Sequence, residues 1–343
     1  RAQAFANSLS CRGASEPSRP AEFELVGDSL FLSHPPTFFM ATSSRDNEEI
    51  FDADFLDRLR ALFLRLRKRR QLKKKGIQST QSTGFTREFK DYRHYTPDDD
   101  YRAIDWMLYA RLERLYIRLY EEIQEFHIHV LIDTSASMQT PFPEKRLIAL
   151  KLAVALSYLG LVGQHRVSLY QMGERVIEGL PPQKGQGNIQ RIIDYARRLE
   201  FGGLTDLERC FTEFRPSRRR YGILFVLSDL YGRGVDETSE AVRLAATWPG
   251  ETHFIHIFHP WEQHPDLDGE IELIDVETQE HRRLWFTRRD RRKYEERFEL
   301  FLKEIEHSCK SRQIDYQRWR TDLPFEEPFL ELLSRGSALA SGS

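Results

Sequence analysis

Five oxygen-bearing side chains are spaced so that they could hold a hard cation. In "HVLIDTSASM" an apolar run ends in Asp133, and Ser135 and Ser137 follow at single-residue intervals. Two hydroxyls two residues apart can face one point on a tight loop, and the aspartate supplies charge directly or through water. Downstream, "GGLTDLE" offers the Thr205 hydroxyl in a glycine-rich loop, and "FVLSDLYG" offers the Asp229 carboxylate at the end of the most apolar run of the chain. Magnesium takes oxygen ligands and keeps several waters; manganese and calcium are the other candidates for such a donor set. With few protein ligands a coordination position stays open, and a partner's carboxylate could complete it. The Asp-x-Ser-x-Ser pattern alone is weak, because Ser and Asp at strand-to-helix loops are ordinary caps, and Asp206 and Ser228 could cap without any metal. The strand context and the two further loops, in order, favour the metal reading.

These loops need a scaffold that gathers them. From residue 127 onward the sequence alternates strand and helix patterns. Strands are expected at "HIHVLID", "HRVSLYQMG", "YGILFVLSDL", "THFIHIFHP" and "IDYQRWRT". Helices are expected over 144–161, 188–199 with Asn188 as N-cap, 207–214, 238–248, 289–312 and 328–334, and "PPQKGQG" reads as a turn. A hairpin turning near 277–279 is expected in "GEIELIDVETQEHRRLWFT". This alternation predicts an α/β fold with a mostly parallel sheet, helices on both faces, and loops gathered at the carboxyl ends of the strands.

Composition narrows the class. The chain has 343 residues, 40% hydrophobic, with 51 basic against 53 acidic residues and a net charge of −2, so the overall balance favours neither nucleic acid nor an acidic substrate. Cys11, Cys210 and Cys309 form no CxxC pair, which argues against a disulfide framework and for a reducing compartment. No secretory signal is visible. The best membrane-span candidate, 147–163, is short, contains Lys151 and fits a packed helix better. The chain reads as cytoplasmic. Residues 1–39 are Ser/Pro-rich and read either as an over-extended frame preceding a start at Met40 or as a flexible arm.

Three separated motifs, "DTSAS", "GGLTDL" and "LSDL", resemble the von Willebrand factor A domain and its metal-ion-dependent adhesion site over about residues 125–260. The resemblance implies that Ser135, Ser137 and Thr205 bind the metal through hydroxyls and that Asp133 and Asp229 act largely through water. The block before it, with "DYRHY", "PDDDYR", "IDW" and "AR", closely resembles the bacterial family of domain of unknown function 58, with Asp98 where that family usually has glycine. Family resemblance implies a partnership with a MoxR-type AAA+ ATPase, as adaptor or co-chaperone for a client the sequence does not identify.

The expected organisation is a disordered extension over 1–49, an amphipathic basic helix over 50–76, a β-rich block over 77–124, the α/β domain over 125–335 and a disordered tail over 336–343. Phe51, Phe55, Leu59, Leu62 and Leu66 form the helix's apolar stripe, which could seat on the sheet domain or on a partner. The basic run 65–75 is expected to be a solvated helix end, with partner, membrane or nucleic-acid contact as the alternatives. Asp98, Asp99, Asp100 and Asp105 among Arg93, Arg102, Arg111 and Arg114 read as a salt-bridged turn rather than a second metal site or a catalytic pair, with Asp105 bonded to backbone or Arg beneath Trp106 as a lid. His253, His256 and His259 are split between strand faces by their spacing, so loop or core roles are expected.

No nucleophile elbow, phosphate-binding loop or HExxH is present in the sequence. The reading is a non-enzymatic, metal-dependent protein-interaction module without nucleic-acid binding. Its rivals are a metal-dependent phosphoryl hydrolase using the same loops, which needs a general base near the metal, and a metal-free scaffold.

Overall fold

The computed structural model describes residues 51, 55, 57–61, 86–97, 99–123, 126–214, 222–232, 235–274 and 281–335. The basic run 65–75, the start at residue 40, Asp98, Cys11, the hairpin tip 275–280 and the tail 336–343 lie outside them, as does most of the expected amino-terminal helix.

Among the described residues, ten strands fall into three sheets. Strands β3 (His127–Asp133), β4 (Arg166–Met172), β5 (Val176–Lys184), β6 (Gly222–Ser228), β7 (Glu251–Phe258) and β10 (Asp315–Arg320) form the central sheet in the order β10-β7-β6-β3-β4-β5. All of its pairings are parallel except β4 with β5. The other two sheets are hairpins, β1 (Thr86–His94) with β2 (Tyr116–Ile123), and β8 (Gly269–Ile274) with β9 (His281–Phe286).

Strand β6 is buried at all seven positions, and β3 at six of seven. Such continuous apolar runs need cover on both faces. On β3, Ile128, Val130 and Ile132 face one core, while Leu131 faces the other. Helices α2 (Pro143–Val162), α3 (Ile189–Arg197) and α8 (Glu326–Arg335) cover the first face; α4 (Leu207–Glu213), α5 (Val235–Ala245) and α7 (Arg288–Ser311) cover the second. The expected mostly parallel α/β sheet is therefore the one observed. Helix α2 holds the expected span candidate and buries it in the domain; among the described residues no helix is long and apolar enough to cross a membrane. Gly160 lets α2 approach the sheet, since a Cβ there would stand 2.6 Å from Val167 Cγ2 and 2.8 Å from Ile128 Cδ1.

Three local expectations are corrected. The stretch 181–184 is the end of strand β5, not a turn; β5 is an antiparallel edge, where Pro181 and Pro182 need not donate to a second neighbour. Asn188 stands at the start of α3 but makes no side-chain cap; its amide donates to the Lys184 carbonyl at 2.6 Å. Helix α5 begins three residues before its expected start.

Residues 57–61 are helical, and Phe51, Phe55 and Leu59 join the first core. The Phe55 ring meets Phe325 edge-on at 5.7 Å, and the Lys151 ammonium lies 5.9 Å from its centroid. The described part of the apolar stripe therefore seats on the sheet domain.

Candidate functional site

Strands β3 and β6 are hydrogen-bonded neighbours, so Asp133 and Asp229 emerge side by side at their carboxyl ends. Ser135 and Ser137 lie on the short 3-10 turn Ala136–Met138 that follows β3. The glycine-rich loop is tied to this turn by backbone bonds: Ala136 N donates to Gly203 O at 3.0 Å, and Gly202 N to Thr134 O at 2.8 Å. Gly203 has φ 75°, a conformation that glycine adopts without strain. Thr205 is thereby placed beside Asp133.

Asp133 is the hub. Its Oδ1 accepts from the Thr205 hydroxyl at 2.7 Å and from Ser135 N at 3.0 Å, and its Oδ2 accepts from the Ser228 hydroxyl at 2.5 Å. The Ser135 and Ser137 hydroxyls meet at 3.0 Å. All these side chains are buried. Burial, then the negative charge of Asp229, raises the Asp133 carboxyl to about 6, against the opposing hydrogen bonds. Among the described residues Asp133 has no cationic partner.

Asp229 is buried and paired with a lysine. Its Oδ2 accepts from the Lys145 ammonium at 2.9 Å and its Oδ1 from Tyr231 N at 3.3 Å. Lys145 also donates to Glu262 Oε1 at 2.7 Å, and its ammonium lies 5.0 Å from the Tyr231 ring centroid. Burial works against the Lys145 charge, but the attraction of Asp229 and Glu262 outweighs it and raises the lysine pKa. Burial also raises the Glu262 pKa, with Asp229 adding to it and Lys145 opposing. Leu230, directly after Asp229, has φ 55°, which non-glycine residues rarely adopt; Ser228 Oγ accepts from its N–H at 2.8 Å and Thr238 donates to its carbonyl at 3.2 Å.

Lys145 and Glu262 are the residues that sequence reasoning missed, and Ser228 was legible only as a cap, not as a donor to Asp133. One signal existed for the lysine: Lys145 continues the buried stripe of Ile148, Ala149, Leu152 and Leu156 by one turn, where a charge needs a partner.

The donors suit a hard divalent cation: three hydroxyls and two carboxylates, without sulfur or imidazole. Among the described residues no cluster of three or more His, Cys, Asp or Glu could hold a metal, so any site here depends on the hydroxyls. The buried Asp133 carboxylate without a cation is the feature that such an ion would complement. Capping also takes place as expected: Asp206 accepts from Arg209 N at 2.8 Å at the start of α4, and Ser228 holds Leu230 N.

The described members of the upstream acidic cluster, Asp99, Asp100 and Asp105, bond to neighbouring backbone and arginines. Asp105 begins α1 (Trp106–Leu112), accepting from Met107 N, Leu108 N, Arg118 Nε at 2.7 Å and Tyr92 Oη at 3.1 Å. Arg118 is the first cause that lowers its carboxyl, to about 2. Asp99 pairs with Arg93 at 2.5 Å and Asp100 caps Arg102 N. Trp106 does not form the expected lid; it is 59% exposed, because α1 buries no residue. The histidines hold the fold together: His253 pairs with Asp315, His256 bonds Tyr316, and His259 caps α6 (Pro260–Gln263).

The family model described as "Protein of unknown function DUF58" matches residues 91–300. The chain belongs to this family. The uncharacterized protein Rv1480 of Mycobacterium tuberculosis is 28% identical over 145 residues, 41% of this chain and 46% of that protein, and Mb1516 of Mycobacterium bovis matches equally. The DUF58 chain thus spans about half the length of the curated relatives it matches. Among solved structures, BatB from Bacteroides thetaiotaomicron is 13% identical with a TM-score of 0.38, covering 61% of this chain and 98% of that one. A von Willebrand factor type A protein from Catenulispora acidiphila is 14% identical with a TM-score of 0.29, covering 57% of this chain and 44% of that one.

Proposed function

We propose that this DUF58 chain is a non-enzymatic protein-interaction module whose binding depends on a divalent cation, magnesium first, with manganese or calcium as alternatives. The observation that carries this reading is the buried Asp133 carboxylate, surrounded by hydroxyls and, among the described residues, lacking a counter-cation. Ser135, Ser137 and Thr205 would hold the ion, assisted by Asp133 and Asp229. A bound cation would offer a partner's carboxylate an open coordination position. Ser228 and Thr205 meanwhile fix the Asp133 carboxylate, and Lys145 fixes Asp229. By family resemblance, the partner is a MoxR-type AAA+ ATPase in the cytoplasm, with this chain as adaptor or co-chaperone for a client protein.

A metal-free scaffold is the second reading, favoured by the caps at Asp206 and Ser228 and by the cation that Lys145 already places on Asp229. The hydrolase alternative has less behind it, because Glu262, the glutamate at the site, is buried against the Lys145 ammonium.

The test is a thermal melt with and without millimolar magnesium, run beside the Ser135→Ala/Ser137→Ala variant. A ligand that binds only the folded state raises the midpoint as its concentration passes its Kd. The proposal expects a magnesium-dependent rise in wild type and none in the variant; no rise in either favours the metal-free scaffold.

A further inference from the structure

Lys145 lies in the first turn of α2 and is 1% exposed. Two carboxylates from separate loops converge on it, Asp229 after β6 at 2.9 Å and Glu262 in α6 at 2.7 Å. An unpaired buried ammonium would be costly, and so would either carboxylate without it. The three lock together the first turn of α2 and the loops after β6 and β7. The α6 loop is itself held: Glu262 Oε2 accepts from His259 N at 2.6 Å, and the Tyr294 hydroxyl donates to the Glu262 carbonyl at 2.7 Å. Glu262 is therefore not a stray surface acid that happens to reach the lysine.

The charge balance has a consequence. Asp133, Asp229 and Glu262 are all buried, and Lys145 is the ammonium that answers two of them. A hard cation arriving among the hydroxyls would find Asp133 free of any cation, but Asp229 already engaged. Affinity of an oxygen site for such ions rises with the number of carboxylates it offers.

We propose that Lys145 sets the strength of the metal site: its ammonium is a built-in counter-ion that withholds Asp229 and Glu262, so that a divalent cation is held weakly and keeps its pull on an anionic partner. This rests on the metal site proposed above. Lys145 is thus a specificity residue for the ion, and Glu262, through Lys145, a positioning residue.

Calorimetric titration of magnesium chloride into the full chain tests it, with wild type, Lys145→Gln, Glu262→Gln, and Ser135→Ala/Ser137→Ala in both wild-type and Lys145→Gln backgrounds. The Lys145→Gln change removes the charge, but the new amide can still donate to the carboxylates. Lys145→Gln is expected to bind magnesium at least about tenfold tighter, through Ser135 and Ser137. Glu262→Gln, which keeps the Lys145–Asp229 pair and hence the fold, is expected to bind at least about threefold weaker, because the lysine then serves Asp229 alone. If wild type binds and Lys145→Gln binds no tighter, the inference fails while the metal site stands. Should Lys145→Gln not fold, unchanged or tighter binding by Glu262→Gln overturns it equally. If wild type does not bind but Lys145→Gln does, through the two serines, the inference stands and the metal dependence of the natural protein falls. Binding by no variant overturns both.

Discussion

The Thr205 hydroxyl donates to Asp133 Oδ1 at 2.7 Å, across 72 positions of sequence. The bond joins the glycine-rich loop to the end of β3, and it places a possible metal ligand and a charge in direct contact. Ser228, the other hydroxyl on Asp133, comes from the neighbouring strand and also supports Leu230. The two hydroxyls should therefore part company on mutation. Thr205→Val leaves Asp133 short of a donor and is expected to cost about 1–3 kcal/mol in urea unfolding and to abolish any magnesium-induced rise in melting temperature. Ser228→Ala is expected to cost a similar amount yet retain that rise. Loss of the rise in Ser228→Ala alone would reverse the assignment of roles.

Two buried imidazoles are expected to make the fold sensitive to acid. Burial is the first cause that lowers His129 to about 3, with His127 adding to it, and burial with Lys145 and Arg318 lowers His256 to about 3. Their folded values lie below that of a free histidine, so the unfolded chain binds more protons. Their contribution is complete above about pH 6.5 and is lost as pH falls toward 3. By pH 5 each is expected to have withdrawn on the order of 2 kcal/mol. His253, raised by Asp315 and Glu251 against burial, acts in the opposite sense: its stabilisation is present at low pH and is lost as pH rises through its folded value. Urea midpoints measured from pH 8 to pH 4 should fall, and should fall less for His129→Phe, which suits the aromatic surround of Tyr170, Phe214 and Trp248. An equal fall in that variant would remove His129 from the account.

The upstream block is expected to depend on Asp105 more than on its exposed aromatics. Asp105→Ala removes the acceptor for two α1 amides, for Arg118 and for Tyr92. Hydrogen exchange at Met107 and Leu108 is expected to accelerate towards the unprotected rate, while exchange in β3 and β6 stays slow. Trp106→Ala should leave both unchanged, because that ring is 59% exposed.

The amino-terminal contact can be weighed in the same way. Phe55 is buried against Phe325 and beneath Lys151. Phe55→Ala is expected to cost about 3–5 kcal/mol if that segment folds cooperatively with the sheet domain. A cost near zero in urea unfolding would mean that the segment detaches before the domain unfolds.

The sequence by itself determined the parts of the site that ride on strong local patterns. Asp133 ends one continuous apolar strand and Asp229 directly follows another, and the serines and Thr205 lie in turn-forming contexts; the shortness of these runs and the turn residues that bound them mark them as buried strands. The parallel α/β class follows from the same alternation. Other features are set by contacts that local pattern does not carry. Edge strand β5 contains two prolines and looks like a turn until β4 supplies a single neighbour for it. Asn188 has a capping side chain but spends it on Lys184 O. Only tertiary structure decided that Asp229 pairs with a buried ammonium. Lys145, Asp229 and Glu262 lie on three elements separated by 84 and 117 positions from the lysine, and it is the packing of α2, β6 and α6 around one buried charge that brings them together. A charge buried that deeply must find opposite charge, and the sequence does not reveal which residues provide it until the chain has folded.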